Sequence, residues 1–389
     1  MRLGIVGGAL QGTEVCYLAR EAGLHTLIID RNPLAPALDL ADEAAILDVT
    51  KDPYAAKRLL ESCDAIIPAN EDQEALDAIV DICKGMSASL IFDPQAYAKT
   101  SSKIETNSVM KKAGIPMPGE WPGCGYPVIV KPSRGSGSHG VSRAADDRSM
   151  AEAVRFARRY DDEIVVQEFV SGPSISLEVI GKGDISIPLQ TTQVILDEHY
   201  DCKMVLAPCM QVIHDDMAFM EMGRTLGKDV GLQGIMDIEA IVHNGVSKVL
   251  ELDARFPSQT PSAVYHSTTM NMIGMLFEWY VRDREPTVHE KGERQAIYEH
   301  IRVRQGRLES FGEDMMSGCT HLRRARGFHG ADVALTDIDS SPDDWRATLI
   351  TTGKNLESTF MKRDRVLSSI MDQYHLDGRY DSVPKEEMS

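Results

Sequence analysis

The chain has 389 residues, of which 43% are hydrophobic, so it is long enough to bury a large core and to form two or three domains. Its formal net charge of −18 opposes binding to nucleic acids and to anionic membranes, because both require clustered lysine and arginine. No run approaches the ~18 apolar residues of a membrane span, and the N-terminus lacks the features of a signal peptide. The seven scattered cysteines include no CxxC pair and are typical of reduced thiols. These features predict a cytoplasmic protein that acts on small molecules.

Residues 1–98 alternate short β-branched runs with helical stretches, which is typical of a parallel α/β unit. The predicted strands are 3–6, 26–30, 65–69 and 90–92, and the predicted helices are 13–22 and 71–84. Asp30 and Glu71 lie at the carboxyl ends of predicted strands, the edge at which α/β sheets bind ligands. We expect one of them to contact a substrate. An alternative for Glu71 is an acid that interacts with the dipole at the start of a helix.

A glycine-rich turn at residues 7–12 joins the first predicted strand to the first predicted helix. A nicotinamide-binding fingerprint has the pattern Gly-x-Gly-x-x-Gly, but Ala9 stands where a glycine would let the backbone approach pyrophosphate. The pattern therefore favours a tight structural turn, or a contribution from Gln11 to a substrate or nucleotide site, over classical dinucleotide binding.

The pattern changes after residue 98. Ser102 and Glu105 have capping-box spacing and predict a helix that ends at Gly114, before a proline-rich stretch to Pro127. Residues 128–253 show mostly strands, with two helices near 149–160 and 215–227. Beyond about residue 306 the periodicity weakens, and residues 377–389 are polar enough to be a frayed tail. The predicted fold class is thus α/β followed by α+β.

Lys131 ends a predicted strand and precedes a loop rich in glycine and serine, residues 133–140. Glycines let such a loop approach a phosphate closely, while its backbone N–H groups and hydroxyls, including that of Ser138, supply donors. It is not a Walker A loop, because the lysine precedes the glycines and no helix follows directly. Taken alone, the segment could also be a flexible surface hairpin.

An acidic hairpin is predicted from strands at 236–242 and 249–255, with a turn at 243–245. On the second strand Glu251 and Asp253 share one face, and on the first strand Glu239 faces away from Ile238. Carboxylates on one face repel each other unless water solvates them or a hard cation bridges them. Mg²⁺ prefers such oxygen ligands. The pattern therefore predicts either a magnesium site or a solvated acidic strand face.

The loop of this hairpin decides whether the three carboxylates converge. A two-residue turn at Asn244 and Gly245 would pair Glu239 with Leu250 and put the acid on the leucine face. A three-residue loop would pair Glu239 with Val249 and put all three acids on one face. Because the other register buries acids and exposes leucines, we predict the three-residue loop.

These motifs, taken in their order along the chain, resemble those of the ATP-grasp superfamily. The family has a lysine before its central domain, here Lys103, then a strand lysine with a glycine-rich lid, and a hinge, here Gln167 to Val170 at the end of an apolar strand. An acidic hairpin follows and ends in Glu-x-Asn-x-Arg. In this chain that motif is Glu-Leu-Asp-Ala-Arg at 251–255, so Asp253 replaces the usual asparagine and adds negative charge.

The resemblance implies three regions. They are a Rossmann-like pre-ATP-grasp domain (1–98), an ATP-grasp domain (99–305) with a flexible lid at about 128–175, and a small C-terminal domain with a frayed tail (306–389). A further departure from the family lies after the hinge, where many members carry a ribose-binding glutamate and this chain has Ser174. Glu178 is the candidate substitute.

The resemblance also implies ATP and Mg²⁺ as cofactors and assigns roles to individual residues. The implied ATP contacts are Gln11, Lys103, Lys131, Ser138, Gln167, Glu168, Phe169, Val170 and Glu178. The implied metal ligands are Glu239, Glu251 and Asp253. The implied catalytic cations are Lys131 and Arg255. The implied substrate contacts are Asp30, Glu71, Ser176, Glu178, Asp201, Asp237, Arg255, Ser258, Gln259 and Thr260.

Residues 176–181, 200–202, 234–237, 253–261 and 298–300 resemble one branch of the superfamily, the ligases of pyrrolysine biosynthesis. This implies amide formation between the carboxylate of 3-methyl-D-ornithine, or its analogue D-ornithine, and the side-chain amine of L-lysine through an acyl phosphate. Asp30 or Glu71 would then bind the lysine. Other ATP-grasp amino-acid ligases or carboxylases, and a non-catalytic nucleotide-binding module, are the alternatives. The sequence leaves the oligomeric state open.

Overall fold

A computed structural model describes residues 1–135, 137–209, 212–213, 215–288, 294–339, 341 and 343–384. Its N-terminal part consists of β1 (Arg2–Val6), α1 (Leu10–Glu21), β2 (His25–Asp30), β3 (Glu43–Ile46), α2 (Pro53–Leu60), β4 (Ala65–Pro68), α3 (Gln73–Cys83) and β5 (Ser89–Leu90). The strands form one parallel sheet in the order β3-β2-β1-β4-β5. Val15 and Leu18 of α1 are buried in one core cluster with Ile5 and Ile28 of the sheet. The predicted parallel α/β unit is confirmed.

Two short helices follow, α4 (Pro94–Thr100) and α5 (Lys103–Ala113). The predicted cap of α5 is present: the Oγ of Ser102 accepts a hydrogen bond from the backbone N–H of Glu105 over 3.4 Å. Gly114 ends the helix with a φ of 68°, in the left-handed region that glycine favours. This cap fixes Lys103 at the first residue of α5.

A small unit comes next, made of β6 (Val128–Pro132), β7 (Ser142–Ala144), α6 (Asp147–Ala157) and β8 (Ile164–Glu168). Its strands form an antiparallel sheet in the order β7-β6-β8. Ala153 and Ala157 of α6 pack on Val128 and Val130 of β6, which gives the unit a core of its own. We call this unit the lid.

The remaining strands build one large sheet. Its elements are β9 (Ser174–Lys182), β10 (Ile185–Leu196), β11 (Cys202–Ala207), α7 (Asp216–Val230), β12 (Gly234–His243), β13 (Val246–Asp253), α8 (Thr260–Thr268), α9 (Met272–Arg282), β14 (Gln295–Arg304), β15 (Arg307–Ser310), β16 (Arg323–Arg326), β17 (Val333–Thr336), β18 (Asp344–Gly353), α10 (Leu356–Gln373) and β19 (Gly378–Asp381). The order is β13-β12-β9-β10-β11-β14-β18-β17-β16, with β15 paired to β14 and β19 paired to β15. A 3-10 helix, Glu313–Gly318, lies between β15 and β16.

Helix α8 joins the N-terminal part to the large sheet. Its residue Val264 is fully buried in the same cluster as Val15 of α1, Phe277 of α9 and Tyr298 of β14. The backbone N–H of Ser262 in the first turn of α8 donates to the carboxylate of Glu14 on α1. The segment that follows β13 is therefore held between the two parts of the molecule.

The C-terminal segment extends the large sheet, because β14 pairs with both β15 and β18. The prediction of a frayed tail is wrong for residues 378–382. Strand β19 pairs in parallel with β15, and the buried Nζ of Lys203 lies 2.7 Å from the Oδ1 of Asp381. A buried ammonium needs such a partner, so this ion pair holds β19 in place. Residues 385–389 of the predicted tail lie outside the described residues.

The domain boundaries at residues 98 and 305 stay predictions. Among the described helices, none combines the length and the apolar character that a membrane crossing requires.

Candidate active site

The large sheet presents an acidic face on three adjacent strands. Asp237 of β12 pairs with Glu178 of β9 and with Asp253 of β13. Two residues further along β12, Glu239 pairs with Ser176 of β9 and with Glu251 of β13. Because side chains alternate along a strand, these residues share one face. They form two cross-strand rows, Glu178–Asp237–Asp253 and Ser176–Glu239–Glu251. We call them the acidic face.

The hairpin reaches this arrangement by a route that differs from the prediction. Asn244 and Gly245 have φ values of 51° and 79°, and His243 pairs directly with Val246. Two left-handed residues between paired neighbours make a two-residue turn, the form that Asn-Gly favours. The predicted three-residue loop is therefore wrong.

A β-bulge corrects the register. Ala240 pairs with Val249, but the next residue, Glu239, pairs with Glu251, so Leu250 is the extra residue. The predicted convergence of Glu239 with Glu251 and Asp253 is nevertheless present. The carbonyl of Leu250 at the bulge accepts a hydrogen bond of 3.4 Å from the Nζ of Lys131.

Two lysines lie at the Glu251 end of the acidic face. The Nζ of Lys103 is 3.1 Å from the Oε2 of Glu251 and donates to the carbonyl of Gly135 in the lid over 2.8 Å. Burial lowers the pKa of Lys131 to about 8, against the opposing effect of Glu251. Although burial raises the pKa of Glu251, the two lysines outweigh it and lower that pKa to about 2. Glu251 is thus held as an anion between two cations.

Arg255 lies at the other end of the face and links it to the N-terminal part. Its Nε is 2.7 Å from the Oε1 of Glu71, and its guanidinium is 2.8 Å from the Oδ2 of Asp253. Burial raises the pKa of Asp253 to about 7 despite this neighbour. The Oδ1 of Asp253 is buried and has no hydrogen-bond partner in the described structure.

The middle of the face is short of cations. Burial, together with the charge of Asp237, raises the pKa of Glu178 to about 8. Burial also raises the pKa of Asp237, whose Oδ1 accepts a hydrogen bond of 2.5 Å from the Oγ of Ser176. Glu239 is exposed to solvent, yet restricted hydration and the charges of Glu251 and Asp237 raise its pKa well above the usual value. A positively charged ligand would relieve this repulsion.

No three His, Cys, Asp or Glu side chains of the described residues are grouped closely enough to hold a metal ion as they stand. Lys103 and Arg255 lie against the carboxylates of Glu251 and Asp253. Metal binding at this face would therefore require these cations to move from the carboxylates.

The lid loop reaches across to the large sheet. The Oγ of Ser138 donates to the carbonyl of Tyr200 over 2.9 Å, and the Nε2 of His139 is 3.9 Å from the Oδ2 of Asp314. Ser136, within the predicted lid loop, lies outside the described residues. The loop therefore contacts the turn between β10 and β11 and the 3-10 helix Glu313–Gly318.

The predicted hinge residues 167–170 span the end of β8 and the two residues that follow it. Gln167 is 3% exposed, and its Oε1 has no hydrogen-bond partner within the described structure. Glu168 binds Lys248 through both oxygens, at 2.7 and 2.9 Å, which lowers its pKa. The guanidinium of Arg143 lies 4.7 Å from the ring centroid of Phe169, and Val170 is buried. Gln167 thus offers an open acceptor, whereas the carboxylate of Glu168 is engaged.

At the N-terminal edge, both oxygens of Asp30 are engaged by backbone groups. Oδ2 accepts from the N–H of Gly8 over 2.5 Å, and Oδ1 accepts from the N–H of Asn32 over 2.7 Å. Gln11 donates from Nε2 to the Oε1 of Glu71 over 2.8 Å. Of the two predicted acids, Glu71 is the one that the structure brings to the acidic face.

Glu71 does not cap a helix. Asp72 caps α3 and accepts hydrogen bonds from the backbone of Glu74 and Ala75. Glu71 instead lines a cleft of about 640 Å³ between the N-terminal part, α5, the lid and β13. The cleft is lined by Glu71, Gln73, Tyr97, Ala98, Lys99, Thr100, Ser101, Lys103, Glu105, Arg134, Gly135, Glu251, Leu252 and Asp253. A volume of this size accommodates a nucleotide-sized ligand.

The loop after Arg255 contacts a residue that the sequence did not single out. Glu313 accepts hydrogen bonds at Oε2 from the Oγ of Ser258 over 2.6 Å and from the Nε2 of Gln259 over 2.8 Å. Gln259 has a φ of 70° and precedes Thr260, the first residue of α8. Because Glu313 opens a short 3-10 helix with no periodic pattern around it, no sequence signal marked it.

Asp201 lies in a turn beside this loop rather than on the acidic face. Its Oδ2 accepts from the backbone N–H of Asp314 over 2.9 Å. Burial, and then the charge of Glu313, raise its pKa to about 7. Of the predicted substrate contacts Glu178, Asp201 and Asp237, only Glu178 and Asp237 share the acidic face.

Comparisons with known proteins give the family. Residues 100–259 match the model of the ATP-grasp domain. The chain is 33% identical over 371 residues to a 3-methyl-D-ornithine–L-lysine ligase of Methanosarcina acetivorans, covering 95% of this chain and 98% of the relative. It is 35% identical to the ligase of that name from Methanosarcina mazei, covering 95% of each chain.

Solved structures agree on the fold at low identity. The biotin carboxylase domain of a Hydrogenobacter thermophilus 2-oxoglutarate carboxylase, solved with MgADP and bicarbonate, has a TM-score of 0.73 at 15% identity, covering 94% of this chain and 89% of the other. An L-amino acid ligase of Bacillus licheniformis has a TM-score of 0.69 at 16% identity, covering 95% and 97%. The chain therefore belongs to the ATP-grasp family and is an ATP-dependent ligase related over nearly its whole length to the 3-methyl-D-ornithine–L-lysine ligases.

Proposed function

We propose that this ligase joins the carboxylate of 3-methyl-D-ornithine to the side-chain amine of L-lysine, with ATP consumed to ADP. The observation that carries the proposal is the near full-length similarity to three ligases of this name, at 32–35% identity. The acidic face supports it, because both substrates are diamino acids whose ammonium groups complement clustered carboxylates. D-ornithine, which lacks only the methyl group, is the expected analogue.

ATP would lie in the cleft between the lid and β13. Lys103 and Lys131 would contact its phosphates, with Ser138 on the lid, and Gln167 and its neighbours up to Val170 would lie along the adenine. The support is geometric: both lysines lie at the end of the acidic face, and Lys103 already contacts the lid at Gly135. The unpartnered Oε1 of Gln167 is a free acceptor for an exocyclic amine.

The carboxylates of the face fit magnesium in chemical type. Glu239, Glu251 and Asp253 offer oxygen ligands only, and the buried Oδ1 of Asp253 lacks a partner among the described residues. These residues would hold Mg²⁺, which when bound supplies positive charge against the phosphates. Lys103 would exchange Glu251 for a phosphate, so the same movement that binds ATP frees a metal ligand.

The carboxylate of the ornithine substrate would take the γ-phosphoryl group and form an acyl phosphate. Arg255 would stabilise the negative charge that develops in this transfer or in the tetrahedral intermediate that follows. Its side chain is only 14% exposed and is held by Glu71 and Asp253, so it is oriented before substrate binds. Ser258 and Thr260, on the loop that continues from Arg255, would hold the ornithine.

The lysine amine must lose a proton before it attacks. Its reference pKa of ~10.4 makes the neutral form cost roughly 4.6 kcal/mol at pH 7. Holding two reactants in register contributes ~7 to 11 kcal/mol, which exceeds this cost. Glu178 and Asp237 are the candidates to accept the proton or orient the ammonium, since both lie in the middle of the acidic face.

The experiment is product analysis by mass spectrometry with ATP, Mg²⁺, L-lysine and either D-ornithine or its 3-methyl derivative. The expected product has the summed mass of the two amino acids less one water, and its formation requires ATP. Replacing L-lysine by L-norleucine, which has the same length and no side-chain amine, is the matched control. A product with norleucine, or none with lysine, would contradict the proposal.

A further inference from the structure

A small pocket lies beside the loop that follows Arg255. It is enclosed by α1, β14, β18 and the 3-10 helix Glu313–Gly318, and its volume of about 10 Å³ corresponds to one water-sized group. Leu10, Met316 and Leu322 form its apolar wall. An aliphatic chain along this wall would place one small terminal group in the pocket.

Glu313 lines the pocket and carries a charge that its partners do not neutralise. Ser258 Oγ and Gln259 Nε2 donate to its Oε2 over 2.6 and 2.8 Å, and both donors are uncharged. These bonds fix the carboxylate in one orientation and leave its negative charge in place. A carboxylate held in this way is prepared for a cationic partner.

His300 also lines the pocket and is buried. It is 2% exposed, its Nδ1 lies 3.0 Å from the Oγ1 of Thr348, and its Nε2 has no hydrogen-bond partner among the described residues. Burial lowers the pKa of His300 to about 3, so the ring is neutral. A neutral ring whose Nδ1–H donates to Thr348 leaves Nε2 as an acceptor. A buried acceptor without a partner is costly, and a donor in the pocket would satisfy it.

Two further acids, Glu14 and Asp201, interact electrostatically with Glu313, as does the guanidinium of Arg255. Burial, and then the charge of Glu313, raise the pKa of Glu14 and the pKa of Asp201 to about 7 each. The Oε2 of Glu14 is buried and likewise has no partner in the described structure. A cation next to Glu313 would reduce the repulsion among these three acids.

We propose that this pocket binds the terminal ammonium of the amino acid whose carboxylate is activated, with Glu313 as its charge partner and His300 Nε2 as an acceptor. The inference rests on the proposed function and names the group that selects a diamino acid. An ammonium is a water-sized group with donors only, and it matches a pocket that presents acceptors at the end of an apolar wall.

The chemistry of the reaction decides which substrate this is. The terminal amine of lysine is the nucleophile, so it must reach the acyl phosphate and cannot lie in the pocket. The α-amine of lysine is attached next to a carboxylate, which Glu313 would repel and a pocket of this size would exclude. The α-amine of the ornithine is likewise attached next to a carboxylate, so the terminal amine of the ornithine is the remaining group.

The test compares D-ornithine with D-norvaline, which has the same carbon chain and no terminal amine. Hydroxylamine traps the activated carboxylate, so each kcat/KM is measured without lysine. In Glu313→Gln the kcat/KM for D-ornithine should fall about 30-fold, which is ~2 kcal/mol. The kcat/KM for D-norvaline and the KM for ATP should stay within about threefold. Glu309→Gln removes a nearby carboxylate on β15 and should leave all three values unchanged.

The proposal would be overturned if Glu313→Gln lowered kcat/KM equally for D-ornithine and D-norvaline. It would also be overturned if the variant raised the KM of L-lysine and left kcat/KM for D-ornithine unchanged. If Glu313→Gln does not fold, Ser258→Ala decides. A preference for D-ornithine over D-norvaline that falls at least about threefold supports the pocket, and an unchanged preference overturns it. If the enzyme forms ornithine hydroxamate but does not couple ornithine to lysine, L-lysine is not the amine substrate and the proposed function is wrong. The comparison of D-ornithine with D-norvaline would still test the pocket. Activation only of amino acids without a terminal amine would refute the pocket.

Discussion

The Glu178→Gln variant tests whether the acidic face is destabilising in the absence of ligands. Glu178 is fully buried beside Asp237, and burial and that charge raise its pKa from 4.5 to about 8. Because the folded pKa lies above the unfolded value, the native protein loses stability as the pH rises from about 4.5 through 8. Glutamine has nearly the same shape and no charge, so this loss should disappear in the variant.

The size of the effect follows from the pKa. A rise from 4.5 to about 8, at ~1.36 kcal/mol per pH unit, corresponds to roughly 5 kcal/mol at pH well above 8. This is an upper bound, because relaxation of the site lowers the cost of the buried charge. We expect the variant to melt several degrees above the wild type at pH 9, and the difference to be small at pH 4.5.

The assay is thermal unfolding of both proteins without ATP from pH 4.5 to 9. Glu152→Gln, on an exposed position of α6, is the matched control and should show the same small difference at every pH. A stability difference between Glu178→Gln and the wild type that does not change with pH would refute the reasoning.

Three further predictions concern turnover. Lys131→Ala and Lys103→Ala should each weaken ATP binding or phosphoryl transfer in steady-state kinetics without unfolding the protein. The control Lys112→Ala, on the same helix as Lys103, should leave both steps unchanged. Wild-type turnover of both variants at saturating ATP would contradict the phosphate assignment. ADP rather than AMP should be released, and hydroxylamine should trap an ornithine hydroxamate when lysine is absent. A lysine hydroxamate would show instead that the carboxylate of lysine is the one activated. Glu71→Ala should raise the KM of lysine more than that of ATP, since Glu71 is the N-terminal acid that reaches the acidic face; equal effects would argue against a lysine contact.

Much of this site could be predicted because its signals are local. The cap of α5 depends on residues three positions apart, and the acidic face follows from alternation along each strand. Asp30 shows the limit of this reasoning. It lies at the predicted edge of the sheet, but the backbone N–H groups of Gly8 and Asn32 engage its oxygens, and only the folded turn shows this.

The C-terminal segment was the least predictable part, because its order depends on distant partners. Helix α10 carries Arg363 on its buried face, which interrupts the apolar stripe that would have identified it. That guanidinium is 2.6 Å from the carboxylate of Glu299, which is fully buried on β14. Each charge would be costly alone, so the pair is compatible with a core only when both elements are in place.

The hairpin of β12 and β13 shows how a correct conclusion followed from an incorrect step. Burial requires Ile238 and Leu252 on one face and the carboxylates on the other, and Asn244 with Gly245 requires a two-residue turn. A regular ladder cannot satisfy both requirements, so the chain accommodates one extra residue at Leu250. The bulge also directs the carbonyl of that residue to Lys131, the lysine proposed to contact phosphate. Bulges are common next to active sites because they re-aim groups in this way, and a conflict between turn and face patterns in an acidic hairpin is a signal that predicts one.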